Sequence, residues 1–257
     1  MALGVVRVLE HSALVYRRQW RGTVFSTFLT PVLFLLAMGI GLGAYVDRAG
    51  SADLGGVSYL AFLAPGLLAA NAMQTASFAT TYPILASIQW LKTFDGMLNT
   101  PLNVRDILLG EMGWIAVRLT IVTSVFLFVI FLFGAVESPL AVLAVPVAVL
   151  TGLAFATPIA AFTATQRKDS GFAAIFRFVV TPLFLFSGTF FPIEQLPDVI
   201  EPVAYVTPIY HGVALARDLT LGRVDLVPAL VHLGVLLAFT LGGLAAAWIT
   251  FHRRLLK

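Results

Sequence analysis

The chain alternates between long apolar runs and short polar connections. A helix needs about 20 mainly apolar residues to cross the ~30 Å hydrocarbon core of a bilayer. Six runs approach or exceed that length, at residues 24–44, 57–80, 107–133, 140–164, 171–188 and 227–251. Because these runs are continuous and lack the alternation of barrel strands, they predict helices. The pattern therefore predicts an all-α membrane protein with six transmembrane helices, forming a single transmembrane domain over residues 1–257.

Composition supports the same class of protein. The chain is 59% hydrophobic and 11% charged, with a mean hydropathy of +0.94, whereas soluble domains are roughly 45–50% apolar and about 25% charged. This excludes an ordinary soluble enzyme and a disordered chain. The chain has 0 cysteines, which excludes disulfides, thiolate nucleophiles and cysteine-based metal sites.

The basic residues are unevenly divided between the two sides of the predicted bundle. Arg48, Arg217 and Arg223 lie on one side, and Arg118 and Arg177 fall within predicted spans. The other side holds the remaining Lys and Arg: Arg7, Arg17, Arg18, Arg21, Lys92, Arg105, Arg167, Lys168, Arg253, Arg254 and Lys257. By the positive-inside rule, both termini are predicted to be cytoplasmic, with residues 252–257 forming a short tail.

The segment before the first span, within residues 1–22, also has a pattern of its own. Val5, Leu9, Ala13 and Tyr16 recur at helical spacing among basic residues, which is typical of an amphipathic helix in the cytoplasmic interface. A positively charged leader that only sets topology would have the same charges. Both interpretations stay open.

The connection between the second and third predicted spans contains a short amphipathic helix. Leu91, Phe94 and Leu98 form an apolar stripe, and Pro101 ends the helix. Asn103, followed by Asp106 at the third position, predicts the capped start of the next helix. An exposed apolar stripe needs a partner, either the bilayer surface or another protein.

Residues 189–226, between the fifth and sixth predicted spans, are apolar but divided by prolines. Pro192, Pro197, Pro202 and Pro208 leave pieces too short to span a membrane. A connection of this length and apolarity is rarely a free loop. We therefore expect short re-entrant or interfacial helices at the outer face, where protein can cover their broken backbone.

Polar residues within the spans have two uses. Asn71, Gln74 and Thr75 in the second span could line a substrate path or hydrogen-bond neighbouring helices. Arg118 in the third span could face a polar cavity or a partner helix, or it could reach back to the interface.

Two segments carry a family resemblance. The sequence FDGMLNTPLNVRDILLGEM, residues 94–112, resembles the coupling-helix segment of type 2 ATP-binding-cassette (ABC) exporter permeases. The sequences TPLFLFSGTFFPIEQLP, residues 181–197, and VTPIYHGVALAR, residues 206–217, resemble the end of the fifth span of that family and its re-entrant segment. Both are most similar to the branch that exports nodulation lipo-chitooligosaccharides and daunorubicin-type drugs.

The resemblance implies one membrane half of an exporter in a bacterial-type inner (plasma) membrane. Its partners would be cytoplasmic ABC ATPase subunits and a second permease subunit, either a copy or a related chain, within the lipid bilayer and without nucleic acid. ATP and Mg would be bound by the ATPase, and this chain would hold no cofactor.

The coupling residues would be Trp90, Leu91, Thr93, Phe94, Asp95, Met97, Leu98 and Thr100. The outer gate would comprise Phe191, Pro192, Glu194, Leu196, Pro197, Pro208 and His211. A substrate path between spans two and five is assigned to Asn71, Gln74, Thr75, Phe184 and Ser187.

Other chemistry finds little support in the residues. The chain has no G-x-x-x-x-G-K-[ST] motif, so an ATP-driven role requires a separate ATPase. Ser187 lacks the glycine two residues earlier that an intramembrane protease of the known type needs, and His211 and His232 show no metal-binding spacing. We therefore expect no catalytic residue and no metal.

The function expected is ATP-driven export of an amphipathic substrate, such as a lipid-linked saccharide, glycolipid or hydrophobic drug. The alternative, a self-contained secondary transporter or channel for a small hydrophobic solute, predicts central carboxylates or an internal repeat.

Overall fold

The computed structural model describes residues 2–49, 54 and 56–256, and its regular structure over these residues is entirely helical. The helices in chain order are α1 (Ala2–Phe34), α2 (Gly43–Ala49), α3 (Tyr59–Thr80), α4 (Tyr82–Gln89), α5 (Thr93–Leu98), α6 (Val104–Leu132), α7 (Ala144–Thr165), α8 (Ser170–Ile175), α9 (Thr181–Leu185), α10 (Glu201–Val206), α11 (Pro208–Leu221) and α12 (Leu226–Leu255). The π-helical stretches Leu35–Leu42 and Phe176–Val180 join α1 to α2 and α8 to α9, and the 3-10 turns Pro139–Leu143 and Ile193–Gln195 precede α7 and α10. The all-α prediction is confirmed. Outside the described part lie residues 1, 50–53, 55 and 257 and the side chains of residues 2–3, 19–27 and 49, which include the end of the predicted amphipathic segment and the start of the first predicted span.

Within the described residues, four stretches are long and apolar enough to cross a membrane. They are Phe28–Arg48, Val104–Leu132, Pro139–Thr165 and Leu226–Leu255, and they coincide with the first, third, fourth and sixth predicted spans. Helix α3 is 22 residues long but carries Asn71 and Gln74, and Ser170–Leu185 is a shorter apolar helix. The second and fifth spans therefore stay predictions.

The first helix continues without a break through residue 23, where the sequence predicts a change from an amphipathic helix to a span. One of its faces packs on α6. Val8 is fully buried, and a Cβ on Gly110 of α6 would collide with its side chain. Tyr16 meets Trp114 edge-on, with ring centroids 5.5 Å apart. The N-terminal segment thus packs on α6 of the same chain, while Leu14 and Val15 are exposed.

Helix α7 lies at the centre of the bundle and packs against α3, α6, α11 and α12. Its contact with α12 depends on small residues, as is common between helices in membranes. Gly243 of α12 lies directly against Thr157 and Pro158 of α7. The Thr157 hydroxyl also donates a hydrogen bond to the Thr240 carbonyl, with an oxygen–oxygen distance of 3.0 Å.

The two ends of the chain lie at the same end of the bundle, which we call the terminal end. Gly4 of α1 lies against Asp106 near the start of α6, and Asn103 shares a cavity with His252 near the end of α12. At the opposite end, the backbone N–H of Glu137 donates to the Thr220 carbonyl at 3.0 Å.

Candidate functional site

Helix α5 is a short helix held between two sharp changes of direction at the terminal end. Lys92 precedes it in the left-handed conformation, with φ of 51°. After it, Asp106 accepts a hydrogen bond from the Asn103 backbone N–H at 3.2 Å, and Asn103 in turn caps α6. This reciprocal arrangement confirms the predicted cap and fixes where the connection re-enters the bundle.

The apolar residues around α5 divide between a buried and an exposed face. Phe94 is 1% exposed, and its ring centroid lies 6.2 Å from that of Phe251 on α12. The predicted exposure of the whole stripe is therefore wrong, because α12 reaches far enough to cover Phe94. Leu98 is half-buried, whereas Trp90 and Leu91 are 60% and 72% exposed.

The other predicted coupling residues follow the same division. Thr93 and Met97 are half-buried, and Asp95 and Thr100 are exposed. The Thr100 hydroxyl donates to the Met97 carbonyl at 2.6 Å and so closes the C-terminal end of α5. The predicted coupling residues whose side chains are exposed are thus Asp95 within α5 and Trp90, Leu91 and Thr100 in its flanks. We call these four residues the exposed face of α5, taking the helix together with its flanks.

A second contact ties this region to the ends of α7 and α12. The backbone carbonyl of Gln166 accepts hydrogen bonds from Nε2 of Gln89 on α4 at 3.2 Å and from Nη2 of Arg254 on α12 at 3.3 Å. The segment leading into α5 is therefore linked to α12 through Gln166 as well as through Phe94.

The predicted substrate-path residues meet in part. Asn71, Gln74 and Phe184 line a narrow cavity of about 40 Å³, completed by Thr30, Phe34, Leu67 and Phe126. Phe34 and Phe184 also line a larger cavity of about 910 Å³. We call the two together the aromatic cleft, because Phe186, Phe190 and Phe191 line its wide part.

Two predicted path residues do not line this cleft. Thr75 is half-buried elsewhere on α3. Ser187 is fully buried, and its hydroxyl is engaged with the Phe184 carbonyl at 2.9 Å and with Oγ1 of Thr189 at 2.7 Å. Ser187 instead shapes the turn that follows α9, where Gly188 adopts a φ of 77°.

Arg217 of α11 holds that turn against α3. Its Nη2 donates to the Gly188 carbonyl at 2.7 Å and its Nε to the Phe62 carbonyl at 3.0 Å. The guanidinium carbon also lies 3.7 Å from the centroid of the Phe62 ring, which adds a cation–π contact. Burial lowers the pKa of Arg217 from its ordinary value to about 10, so the side chain stays charged at neutral pH.

Helix α11 starts deep in the bundle and ends at its surface. Ile209 and Val213 belong to a buried cluster with Met73 of α3 and Phe155 of α7, and Met73 lies about 20 Å along α3 from its start at 1.5 Å per residue. At its other end, the Thr220 carbonyl meets the N–H of Glu137. The predicted division of residues 189–226 into short helical pieces is found, with prolines in the first turn of α10 and α11.

The predicted outer-gate residues occupy three environments. Phe191 and Pro192 line the aromatic cleft. Leu196 is buried with Ile193 and Ala204, and Glu194 and Pro197 are exposed. Pro208 and His211 lie inside the bundle.

His211 has a partner on α12. Its Nδ1 lies 2.7 Å from Nδ1 of His232, so one imidazole donates and the other accepts. Tyr210 meets both rings edge-on. Among the described residues, no group of three His, Cys, Asp or Glu is placed to hold a metal ion.

The comparisons with known proteins agree with this architecture. Residues 5–221 match the family described as ABC-2 type transporter. The chain belongs to the ABC-2 type transporter family. It is 31% identical over 255 residues to Nodulation protein J of Rhizobium leguminosarum bv. viciae, with 99% of this chain and 96% of the relative covered. It is 30% identical over 251 residues to Nodulation protein J of Rhizobium meliloti (strain 1021), with 98% and 94% covered. It is 22% identical over 238 residues to Inner membrane transport permease YadH of Escherichia coli (strain K12), with 93% and 90% covered.

As an ABC-2 type transporter, the chain is a membrane transport subunit and not an enzyme, and ATP hydrolysis belongs to a separate subunit. The resemblance found in the coupling-like and outer segments is thereby confirmed. Several residues of this transporter that the structure brings to its sites escaped the sequence analysis: Thr30, Phe34, Phe62, Phe126, Gln166 and Phe251. Each acts through a neighbour far away in sequence, so no local spacing could have indicated it. Arg118 has its Nε buried without a hydrogen-bond partner among the described residues, which leaves its two interpretations open.

Proposed function

We propose that this chain is the membrane subunit of an ATP-driven exporter that moves an amphipathic substrate outward. The observation that carries the proposal is that Phe94 of α5 is packed against Phe251, whereas Trp90 and Leu91, just before α5, are exposed. A short helix that is packed on α12 and preceded by uncovered apolar side chains is suited to receive a partner and pass on its movement. The partner we assign is a cytoplasmic ABC ATPase, which binds ATP and Mg in place of this chain.

The topology that we propose has six crossings and cytoplasmic termini in a bacterial inner membrane. The basic residues at the terminal end support this orientation through the positive-inside rule. The depth of Ile209 among α3 and α7 residues supports a re-entrant α11 at the outer side, covered by protein as broken helices must be in a bilayer. Residues of this segment that line the cleft, Phe191 and Pro192, form the outer gate in this proposal.

The substrate path that we propose is the aromatic cleft. Its narrow end carries Asn71 and Gln74, and its wide end is aromatic, a combination that suits a cargo with polar and apolar parts. Gln74 and Thr30 are exposed, and polar side chains facing lipid are unfavourable. A second permease subunit covering this face would enclose the cleft between the two chains.

The names of the relatives favour one of the proposed classes of substrate. Two of them carry the name Nodulation protein J, and the motifs resemble the branch that exports lipo-chitooligosaccharides. Within the class of amphipathic cargo, we therefore place a lipid-linked saccharide before a glycolipid or a hydrophobic drug.

Co-purification tests whether an ABC ATPase binds to the exposed face of α5. The native chain should carry an ABC ATPase subunit of the same operon through purification, and Leu91→Asp should abolish the association because it places a charge on the exposed face of α5. Val199→Asp is the matched control, since Val199 is an 84% exposed apolar residue in the outer segment. Absence of the ATPase with the native chain, or its retention by Leu91→Asp, would contradict the proposal.

A further inference from the structure

A cavity of about 540 Å³ at the terminal end belongs neither to the aromatic cleft nor to the exposed face of α5. It lies between the connection from α5 to α6 and the last turns of α12. Its walls are formed by Leu98, Leu102, Asn103, Val104, Arg105, Trp248, His252 and Leu256. Apart from Leu98, which is among the predicted coupling residues, its lining has no role in the export mechanism above.

The lining of the cavity combines polar side chains with apolar ones. Arg105, Asn103 and His252 supply polar groups and are exposed, while Trp248 and Leu256 supply apolar surface, being 38% and 57% exposed. Trp248 packs its ring on His252 at 5.8 Å between centroids. A tryptophan beside a basic residue at the end of a long apolar helix is typical of the headgroup level of a bilayer.

The apolar wall continues along α12 toward the membrane centre. Leu241 and Leu237 lie on the same helical face as Trp248, at spacings close to whole turns, and they are 61% and 46% exposed. An extended hydrocarbon chain could therefore lie along this face while its head remains beside Arg105.

The lining of the cavity carries a basic side chain and no acidic one. Asp106 is buried, accepts the N–H of Asn103 and does not line the cavity. Asp95 of α5 is exposed and does not line it either. Arg105 is the one Lys, Arg, Asp or Glu residue of the lining, and Arg253 is exposed on α12 next to His252.

We propose that this cavity binds an anionic phospholipid, with the phosphate beside Arg105 and Asn103 and an acyl chain along Trp248, Leu241 and Leu237. Basic pockets between helices on the cytoplasmic side are the sites where such headgroups bind. The bound lipid would join the α5–α6 connection to the end of α12, the same two elements that Phe94 and Phe251 hold together. The inference concerns a site separate from the transport path; it rests on the orientation proposed above and not on the proposed substrate.

Fluorescence quenching of Trp248 by brominated lipids in vesicles tests the site. The Trp248 signal is isolated as the difference between the native chain and Trp248→Phe. Brominated phosphatidylglycerol should quench it with an apparent affinity about fivefold higher than brominated phosphatidylcholine, the contribution expected from one Arg near an anionic lipid. Arg105→Gln should remove the preference, and Arg105→Lys should keep most of it.

Lys168→Gln is the matched control, because Lys168 is an exposed basic residue of the α7–α8 connection that does not line the cavity. It should leave the preference unchanged. Equal quenching of the native chain by both lipids would overturn the proposal, as would an equal loss in Arg105→Gln and Lys168→Gln. A preference that survives Arg105→Gln while that variant loses the ATPase would assign the cavity to the protein partner and would also overturn it.

Discussion

The ring of Phe94 in α5 packs against the ring of Phe251 in α12, with centroids 6.2 Å apart and both side chains almost wholly buried. The two residues are separated by most of the chain, and their contact fixes a six-residue helix to the end of a 30-residue helix. A displacement of α5 would therefore act directly on α12. Since α12 also carries His232, the partner of His211, α12 connects α5 at the terminal end with α11 in the outer segment.

The first prediction concerns the stability of that contact. Phe94→Ala should lower the free energy of unfolding by about 3–5 kcal/mol, because it removes a fully buried aromatic ring and leaves a cavity. Leu91→Ala, at a 72% exposed position, should change it by less than about 0.5 kcal/mol. Reversible unfolding in mixed micelles measures both. Similar losses in the two variants would contradict the division of α5 into a buried and an exposed face.

The second prediction uses two adjacent glycines of α12. A Cβ at Gly243 would collide with Thr157 and would lie 2.7 Å from the Pro158 nitrogen, whereas a Cβ at Gly242 would meet nothing within 4 Å. Gly243→Ala should therefore destabilise the protein by about 1–3 kcal/mol, since the backbone of α7 must move. Gly242→Ala should be neutral or stabilising, because alanine favours helix. Thermal unfolding in detergent distinguishes them, and equal melting temperatures would show that α7 and α12 do not pack here.

Sequence patterns could predict what is decided locally. The capping box depends on two residues only three positions apart, Asn103 and Asp106, and it was predictable for that reason. The periodicity of Leu91, Phe94 and Leu98 predicts one apolar face, but α5 begins only at Thr93, so Leu91 lies outside the helix and is exposed while Phe94 is buried. Periodicity also contains no information about the element that covers Phe94. Phe251 lies in a separate apolar run, where every residue has a similar character. Burial of Phe94 is thus a tertiary property.

Counting the charged residues along the sequence also could not predict the structural role of Arg217. Arg217 is one basic residue of an outer segment when the sequence is read alone. In the structure it holds the Phe62 and Gly188 carbonyls together, because Gly188 turns the chain back toward α3. The prolines near it predicted the breaks between helices, but the depth of Ile209 in the bundle depends on contacts with α3 and α7 that no local signal encodes.

The third prediction concerns Arg217. Arg217→Lys should lower the free energy of unfolding by about 1–3 kcal/mol, because an ammonium group cannot serve both carbonyls and stack on Phe62, and one acceptor is left unpaired. Arg167→Lys is a conservative control at an exposed position and should have little effect. Chemical unfolding monitored by fluorescence measures both variants. Equal stability of Arg217→Lys and the native chain would contradict the claim that Arg217 holds the Phe62 and Gly188 carbonyls together.

The fourth prediction is a pH dependence of stability. Burial lowers the pKa of His211 below its ordinary value of 6.5, although a hydrogen bond with the Tyr205 backbone partly opposes this. Because the unfolded chain then binds the proton more readily, His211 should contribute fully above pH about 6.5 and should destabilise the fold as pH falls below it. His211→Gln should reduce this loss between pH 7.5 and 5.5, and His11→Gln, at an exposed position, should not. An unchanged pH profile in His211→Gln would refute the assignment.

The most direct test of the account is transport in liposomes that contain this chain with or without its ABC ATPase. A fluorescent lipo-chitooligosaccharide should accumulate in the lumen only when both subunits and MgATP are present, with the ATPase on the external face. Leu91→Asp should reduce accumulation to the background of empty liposomes, and Val199→Asp should retain it. Accumulation by this chain without the ATPase, or driven by a proton gradient alone, would contradict the account.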